Sequence, residues 1–394
     1  MPRLRPSFIR RAHNISSHLA TLLPACRDLR SAQNELRWIR EHVSSSLAPA
    51  HEHNVTSRSC VTKTAVAVIK KHLDTEVQID RLCRLRGTRG VPLQYVLGSQ
   101  PFGDLDIRCR PGVLIPRPET EAWVFHLADL VRNVIAEGAL SRPGGDVDDR
   151  TARPLKIVDL CSGSGCIALL LSSLLRSHLR GSDVDIRGFD VEPRAVSLAK
   201  ENLAYNLRRR VLPRPRAGRQ NVVFEKADIF SEDWLASLHH DPADPNAGGS
   251  KLGAPIDIFV SNPPYISMRG YDCDTGRSVR NYEPRLALVP HESLRISSFA
   301  DCAPEDVFYA RLLEVAEILR PKFVVLEVGD LAQATRVLEM AVRAPRPWIT
   351  MEVWRDWPDM APEEGEDQVV RIGGLQVPVR GSGHGRTVFL QRGA

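Results

Sequence analysis

No uninterrupted apolar run of about 18 residues occurs in the 394-residue chain, so it contains no candidate for a membrane-spanning helix. Its eight cysteines (Cys26, Cys60, Cys83, Cys109, Cys161, Cys166, Cys273 and Cys302) form no CxxC pair and no zinc-ligand spacing. Scattered in this way, and without a secretory signal, they point to a reducing compartment and free thiols. No internal repeat is visible. Acid is missing from the first 27 residues, where Asp28 is the first carboxylate. Residues 1–41 carry eight arginines, no lysine and three acids, a net of +5 that equals the charge of the whole chain. Everything after Glu41 is therefore close to neutral. That balance argues against a broad nucleic-acid footprint, which needs clustered Lys and Arg.

What is present is an ordinary globular composition, 43% hydrophobic and 26% charged, in a chain long enough for two domains. The arginine-bearing, acid-free start, "MPRLRPSFIRRAHNISSHLATLLPACR", suits an organellar presequence, with a basic arm as the alternative. We place it at residues 1–30. Residues 31–90 read as a small helical bundle. "AQNELRWIREHV" spaces Leu36, Ile39 and Val43 helically, and "KTAVAVIKKHL" and "VQIDRLCRLRG" continue as two further helical segments. Residues 91–115 form a hairpin-like connector, with Tyr95, Val96 and Leu97, then Leu105 and Ile107, around Gly98 and Gly103. Residues 116–394 make the main domain, where strands alternate with helices from Leu155 onward. That order predicts an α/β fold with a doubly wound, mostly parallel sheet. The last segments, "WITMEVWRDW", "EDQVVRIGG" and "RTVFLQR", are strands without helices between them, so the sheet is expected to end with an antiparallel pair.

In such sheets ligands sit beyond the carboxyl ends of the strands. In "IVDLCSGSGCIAL", Asp159 closes a strand, and Gly163 and Gly165 permit a tight turn into a helix whose first N–H groups suit an anion. This is not GxGxxG and no Gly-Lys-Ser/Thr follows, so a carboxylate serves as well as a phosphate. Asp190 ends the next strand and can hold ribose hydroxyls. Asp228 ends the third and can accept from an exocyclic amine, with Ile229 and Phe230 beside the ring. Each Asp could instead be a helix N-cap. Taken together, the glycine turn followed by two acids describes a nucleoside site with a carboxylate end. S-adenosylmethionine has both features.

A fourth strand end completes the pattern. "APIDIFVSNPPYIS" runs apolar through Ile256, Ile258, Phe259 and Val260, then stops at Asn262-Pro263-Pro264-Tyr265. Asn-Pro also starts ordinary turns. Following the nucleoside half-site, however, this corner resembles the amino-methyltransferases of the class I S-adenosylmethionine fold. "LRWIREHV", "GVPLQYVLG", "VLIPRPETE", "DLCSGSGCIAL", "SNPPYIS", "YEPRLAL" and "LEVGD" together resemble the HemK/PrmC family, the peptide chain release factor glutamine N5-methyltransferases. The match covers roughly residues 31–394.

That resemblance implies a seven-stranded class I methyltransferase sheet with an antiparallel terminal strand, preceded by a helical domain that binds the protein substrate. It implies S-adenosylmethionine as cofactor and no metal. Cys161, Ser162, Gly163, Ser164, Gly165, Asp190, Asp228, Ile229 and Asn262 would meet the cofactor. Asn262, Pro263, Pro264 and Tyr265 would hold the substrate glutamine, with Asn262, Pro263 and Tyr265 carrying the catalysis. Glu119 and Thr120 would border the pocket, and Glu327 could support it or serve the fold.

The implied partner is a class I peptide chain release factor methylated in its Gly-Gly-Gln loop. The expected protein is a monomer without membrane or direct nucleic-acid binding. The acid-free start makes it resemble a mitochondrial member acting in the matrix, with the cytoplasm as the alternative. The competing reaction is N6-adenine methylation of DNA or RNA, since an adenine amine is also planar and delocalised. A catalytically silent binding module is a third reading.

Overall fold

The computed structural model describes residues 4–46, 61–137, 154–176, 184–212, 221–239, 256–294, 301–345 and 347–393. The chain forms two compact units. One comprises Met1–Ser99 with Gly276–Tyr282, and the other Gln100–Thr275 with Glu283–Ala394. No helix among the described residues is long and apolar enough to cross a membrane.

The first unit is helical: α1 (Pro6–Ile15), α2 (Ser17–Cys26), α3 (Leu29–Ser46), α4 (Val61–Gly87) and α5 (Leu93–Leu97). Ser16 starts α2 by accepting the His18 N–H, and Asp28 starts α3 by accepting that of Ser31. Ala32, Leu36, Ile39 and Val43 form the buried stripe of α3, at the spacing the sequence predicts. They meet Leu19, Leu22 and Leu23 of α2 and Ile79 and Cys83 of α4. Glu35 and Arg86 close a two-pronged ion pair at 2.7 and 2.8 Å beside this core. A Cβ on Gly87 would lie 1.9 Å from the Thr21 carbonyl oxygen, so only glycine lets α4 end against α2.

Two expectations change here. The two segments read as separate helices after residue 60 are one helix, Val61–Gly87, because neither glycine nor proline interrupts it before Gly87. Within the stretch expected to be a basic leader, 1–30, the described residues form α1, α2 and the first residues of α3, and Leu22 and Leu23 are fully buried. Tyr95, Val96 and Leu97 belong to α5, which Pro92 precedes and Gly98 ends at φ 81°. The hairpin lies just beyond, as β1 (Ser99–Phe102) and β2 (Leu105–Arg108).

The second unit continues with α6 (Pro118–Ala136), β3 (Leu155–Leu160), α7 (Cys166–Arg176), β4 (Val184–Asp190), α8 (Pro193–Arg208), β5 (Val222–Lys226) and β6 (Ile258–Ser261). A short α9 (Met268–Cys273) belongs to it, whereas α10 (Arg277–Tyr282) falls in the first unit. Then come α11 (Val307–Leu319), β7 (Phe323–Glu327), α12 (Leu331–Val342), β8 (Thr350–Trp357), β9 (Val369–Ile372), β10 (Leu375–Arg380) and β11 (Ser382–Gln391).

The sheet order is β5-β4-β3-β6-β7-β11-β8-β10-β9. β3 to β7 pair in parallel, while β11 runs antiparallel to both β7 and β8. These seven strands are the expected class I methyltransferase sheet. Two more extend its edge: β10 lies parallel to β8, and β9 returns antiparallel to β10. Gly373 and Gly374 join them at φ 53° and 89°, the two positive angles of a tight two-residue hairpin turn. Residues from α6, α7 and α8 pack one face of the sheet, and residues from α11 and α12 the other.

The chain leaves β3 for β4 on one side of the sheet and reaches β6 on the other, so a crevice opens at the carboxyl ends of β3 and β6. Leu160 and Ser261 are the last residues paired there, and the Ser261 hydroxyl donates to the Leu160 carbonyl at 2.7 Å. The loop beginning at Cys161 and the corner beginning at Asn262 therefore start side by side.

Candidate active site

The glycine loop turns sharply. Cys161, Gly163 and Gly165 have φ of 60°, 55° and 79°. For Cys161, a residue with a Cβ, this is a strained conformation of the kind that collects at functional sites. Gly165 is needed for close approach, since a Cβ there would sit 2.7 Å from the Phe224 ring. A Cβ on Gly163 would meet nothing within 4 Å, which leaves its backbone open. Asp190 fastens the loop: one carboxylate oxygen accepts the Gly163 N–H at 2.8 Å and the other the Glu192 N–H at 2.9 Å. Burial raises the Asp190 pKa, and these two N–H groups work against the rise. Burial also pushes up the thiols of Cys161 and Cys166, the latter to about 12, so neither is a ready nucleophile.

One cavity collects most of the residues that the sequence singled out. Cys161, Ser162, Gly163, Ser164, Asp190, Asp228, Ile229, Asn262 and Pro264 line it, together with Thr120. Gly165 stands behind the loop, and Pro263, Tyr265 and Glu119 are outside the lining. Asp228 is exposed and accepts the Phe230 N–H at 3.0 Å. Phe230 meets Phe308 edge-on, with ring centroids 5.1 Å apart, and both line the cavity.

This donor set fits S-adenosylmethionine. The apolar slot of Ile229, Phe230 and Phe308 suits adenine, Asp190 suits the ribose, and the backbone at the start of α7 suits a carboxylate. The buried Ser162 hydroxyl has no hydrogen-bond partner among the described residues. Among them, too, no group of three or more His, Cys, Asp or Glu is placed to hold a metal ion.

The Asn262 end is held by side chains. Its Nδ2 lies 3.4 Å from Thr120 Oγ1. Thr120 donates in turn to Glu327 Oε2 at 2.6 Å, and Trp123 Nε1 donates to the same oxygen at 2.8 Å. The Tyr265 hydroxyl donates to Glu327 Oε1 at 3.3 Å. Glu327 is 1% exposed, and burial raises its pKa against the pull of these donors and of Arg386. Burial likewise raises the Tyr265 phenol. Gln333 Nε2 donates to the Tyr265 carbonyl at 3.2 Å, which fixes the backbone of the corner.

No family model matches the chain. Curated relatives do. The mitochondrial MRF1 N(5)-glutamine methyltransferase of Saccharomyces cerevisiae is 33% identical over 289 residues, 73% of this chain and 68% of the relative. The chain belongs to the release factor glutamine methyltransferase family. The release factor glutamine methyltransferase of Bacteroides thetaiotaomicron is 30% identical, across 72% of this chain and 82% of the relative. A solved structure, the N-terminal domain of human METTL16 in complex with SAH, aligns loosely at a TM-score of 0.38 and 14% identity, covering 79% of this chain and 83% of that one. The fold assignment rests on the strand order and the family.

In this family member, sequence reasoning missed several supports of the site. Asn202 and Asn206 are fully buried on α8. Asn206 brackets the backbone of Asp106, and Asn202 that of Arg108 while also holding the Ser164 carbonyl at 3.0 Å. Two asparagines four apart on an amphipathic helix were the available signal. Glu283 of "YEPRLAL" accepts the Ile115 N–H at 3.1 Å and Arg117 at 2.8 Å, which secures the cavity wall from Gly112 to Arg117.

Proposed function

We propose that this protein transfers a methyl group from S-adenosylmethionine to the side-chain nitrogen of a glutamine, the one in the Gly-Gly-Gln loop of a mitochondrial class I release factor. One observation carries the reading. The corner at Asn262 and the glycine loop with Asp190 open into a single cavity in a chain 33% identical to a mitochondrial glutamine methyltransferase. The site of action is the mitochondrial matrix.

A glutamine amide nitrogen is a weak nucleophile because its lone pair is delocalised into the carbonyl, as the ~18–20 kcal/mol rotation barrier of amides reflects. Removing a proton first is not a reasonable route for so weak an acid. Asn262 Oδ1 and the Pro263 carbonyl each accept one amide N–H, which aims the nitrogen and stabilises the positive charge that grows on it. The two prolines fix the direction of that carbonyl. Tyr265 would stack on the flat amide only if its ring, which stands outside the cavity lining here, were reached by the substrate; its hydroxyl is tied to Glu327. Asp190 and the start of α7 would hold the cofactor, with Asp228 and Ile229 at its adenine. S-adenosylmethionine would supply a methyl group on positively charged sulfur as the electrophile, the new N–C bond replacing the S–C bond, whose electrons would stay on sulfur. The extra proton then leaves the nitrogen for water.

The test is incubation with labelled S-adenosylmethionine and candidate release factors, followed by peptide mass mapping. One methyl group on the glutamine of Gly-Gly-Gln is expected. Label that reaches adenine in an oligonucleotide, and no release factor, overturns the reading.

A further inference from the structure

We propose that Thr120 and Glu327 are positioning residues that decide which end of the Asn262 amide faces the substrate. The inference rests on the function proposed above, which needs the oxygen of that amide as an acceptor. An asparagine amide fits its site almost equally well in two orientations, one of which turns the NH₂ group toward the substrate. A pair of N–H donors meeting a donor would be repelled. Something has to choose between the two orientations.

The hydrogen-bond directions make the choice. Trp123 Nε1 can only donate, so Glu327 Oε2 accepts at 2.8 Å. The Thr120 hydroxyl is 2.6 Å from the same oxygen and has a single proton. An ionised Glu327 takes that proton's hydrogen bond, because a carboxylate has nothing to donate. Thr120 Oγ1 is then left with lone pairs alone toward Asn262. The amide meets it with Nδ2, at 3.4 Å. The flipped amide would set Oδ1 against the hydroxyl oxygen, lone pair against lone pair. The Tyr265 hydroxyl on Oε1 gives Glu327 a third donor. A buried carboxylate thus sets a chain of directions, from Glu327 through Thr120 to Asn262, and the amide oxygen is turned away from Thr120. Of the two neighbours in "PRPETE", Thr120 is fully buried and lines the cavity. Glu119 makes no part of the chain.

Thr120→Val keeps the shape and removes the acceptor, and Thr120→Ser keeps the acceptor. In full-length protein, Thr120→Val should lower kcat for release factor methylation on the order of ten- to a hundredfold, leaving KM and cofactor Kd within about twofold. Thr120→Ser should restore most of the rate. In an Asn262→Ala background Thr120→Val should add nothing, which separates an effect through Asn262 from a general loosening of the site. A full additional loss in that background, or an unchanged kcat for Thr120→Val alone, overturns the proposal. If Thr120→Val does not fold, Thr120→Ala replaces it. Side-chain amide NMR of protein labelled with ¹⁵N-asparagine reads the orientation without turnover. The Asn262 NH₂ signals should shift, and exchange faster with water, on loss of the hydroxyl; signals identical to wild type overturn the proposal. If the wild-type chain methylates no glutamine, the proposed function fails and the NMR result alone decides the orienting role.

Discussion

The two ends of the cavity are each anchored by a carboxylate, half-buried in Asp190 and fully buried in Glu327, but the anchors are built from different materials. Asp190 accepts two backbone N–H groups, from Gly163 and Glu192. Glu327 accepts from three side chains, those of Thr120, Trp123 and Tyr265. Burial raises the pKa of both. The backbone anchor shapes a loop, and no substitution of the donor residues other than proline removes its partners. The side-chain anchor instead sets the direction of hydrogen bonds, and one missing hydroxyl can break it. Binding a constant cofactor suits the first arrangement. Discriminating donor from acceptor at a reacting nitrogen suits the second.

The contrast can be broken from either side. The largest effect is expected for Asn262→Ala, which removes one acceptor at the developing charge. Turnover should fall on the order of 10²- to 10³-fold, with cofactor affinity held, as read by initial rates and calorimetric titration. Near-wild-type turnover would remove the chemical role from the corner. Next comes Asp190→Ala, expected to weaken S-adenosylmethionine binding by roughly 1–3 kcal/mol through the lost ribose contact and a loosened Gly163. Unchanged affinity would leave Asp190 as a brace for the loop alone.

The smallest effect sharpens the comparison. Because burial raises the folded-state pKa of Glu327, the native chain holds this proton more tightly than the unfolded chain does. The stability that this supplies is fully present below the ordinary glutamate range, and it is lost as pH rises through the raised value. Glu327→Gln should flatten that part of the pH dependence and leave the protein somewhat more stable at neutral pH, while turnover falls. Urea unfolding at a series of pH values checks the sign, and a steeper slope in the variant would contradict it.

The sheet and the candidate corner were legible because their signals are local. Apolar runs ending near Asp159, Asp190 and Asn262 carry strand and terminus within a dozen residues. The supports were not legible, because their partners lie far apart in sequence. Thr120 and Glu327 are separated by 207 positions, and Ile115 and Glu283 by 168. No periodicity joins such pairs. Two signals overlap in the first 30 residues: the arginines and the absence of acid, and the helical spacing of the buried Leu19, Leu22 and Leu23. The β9–β10 pair was visible as one strand fewer, since "EDQVVRIGGLQVPVR" hides its turn in a glycine doublet.

The matched finish of β3 and β6 at Leu160 and Ser261 has an evolutionary corollary. Lengthening either strand by a single residue would carry one loop about 3.3 Å past the other and invert every side chain beyond the insertion. Surface loops of this protein can grow with little penalty, whereas these two neighbours must change length together or stay as they are. Indels between Ile157 and Tyr265 should therefore be confined to stretches that leave both strand ends untouched.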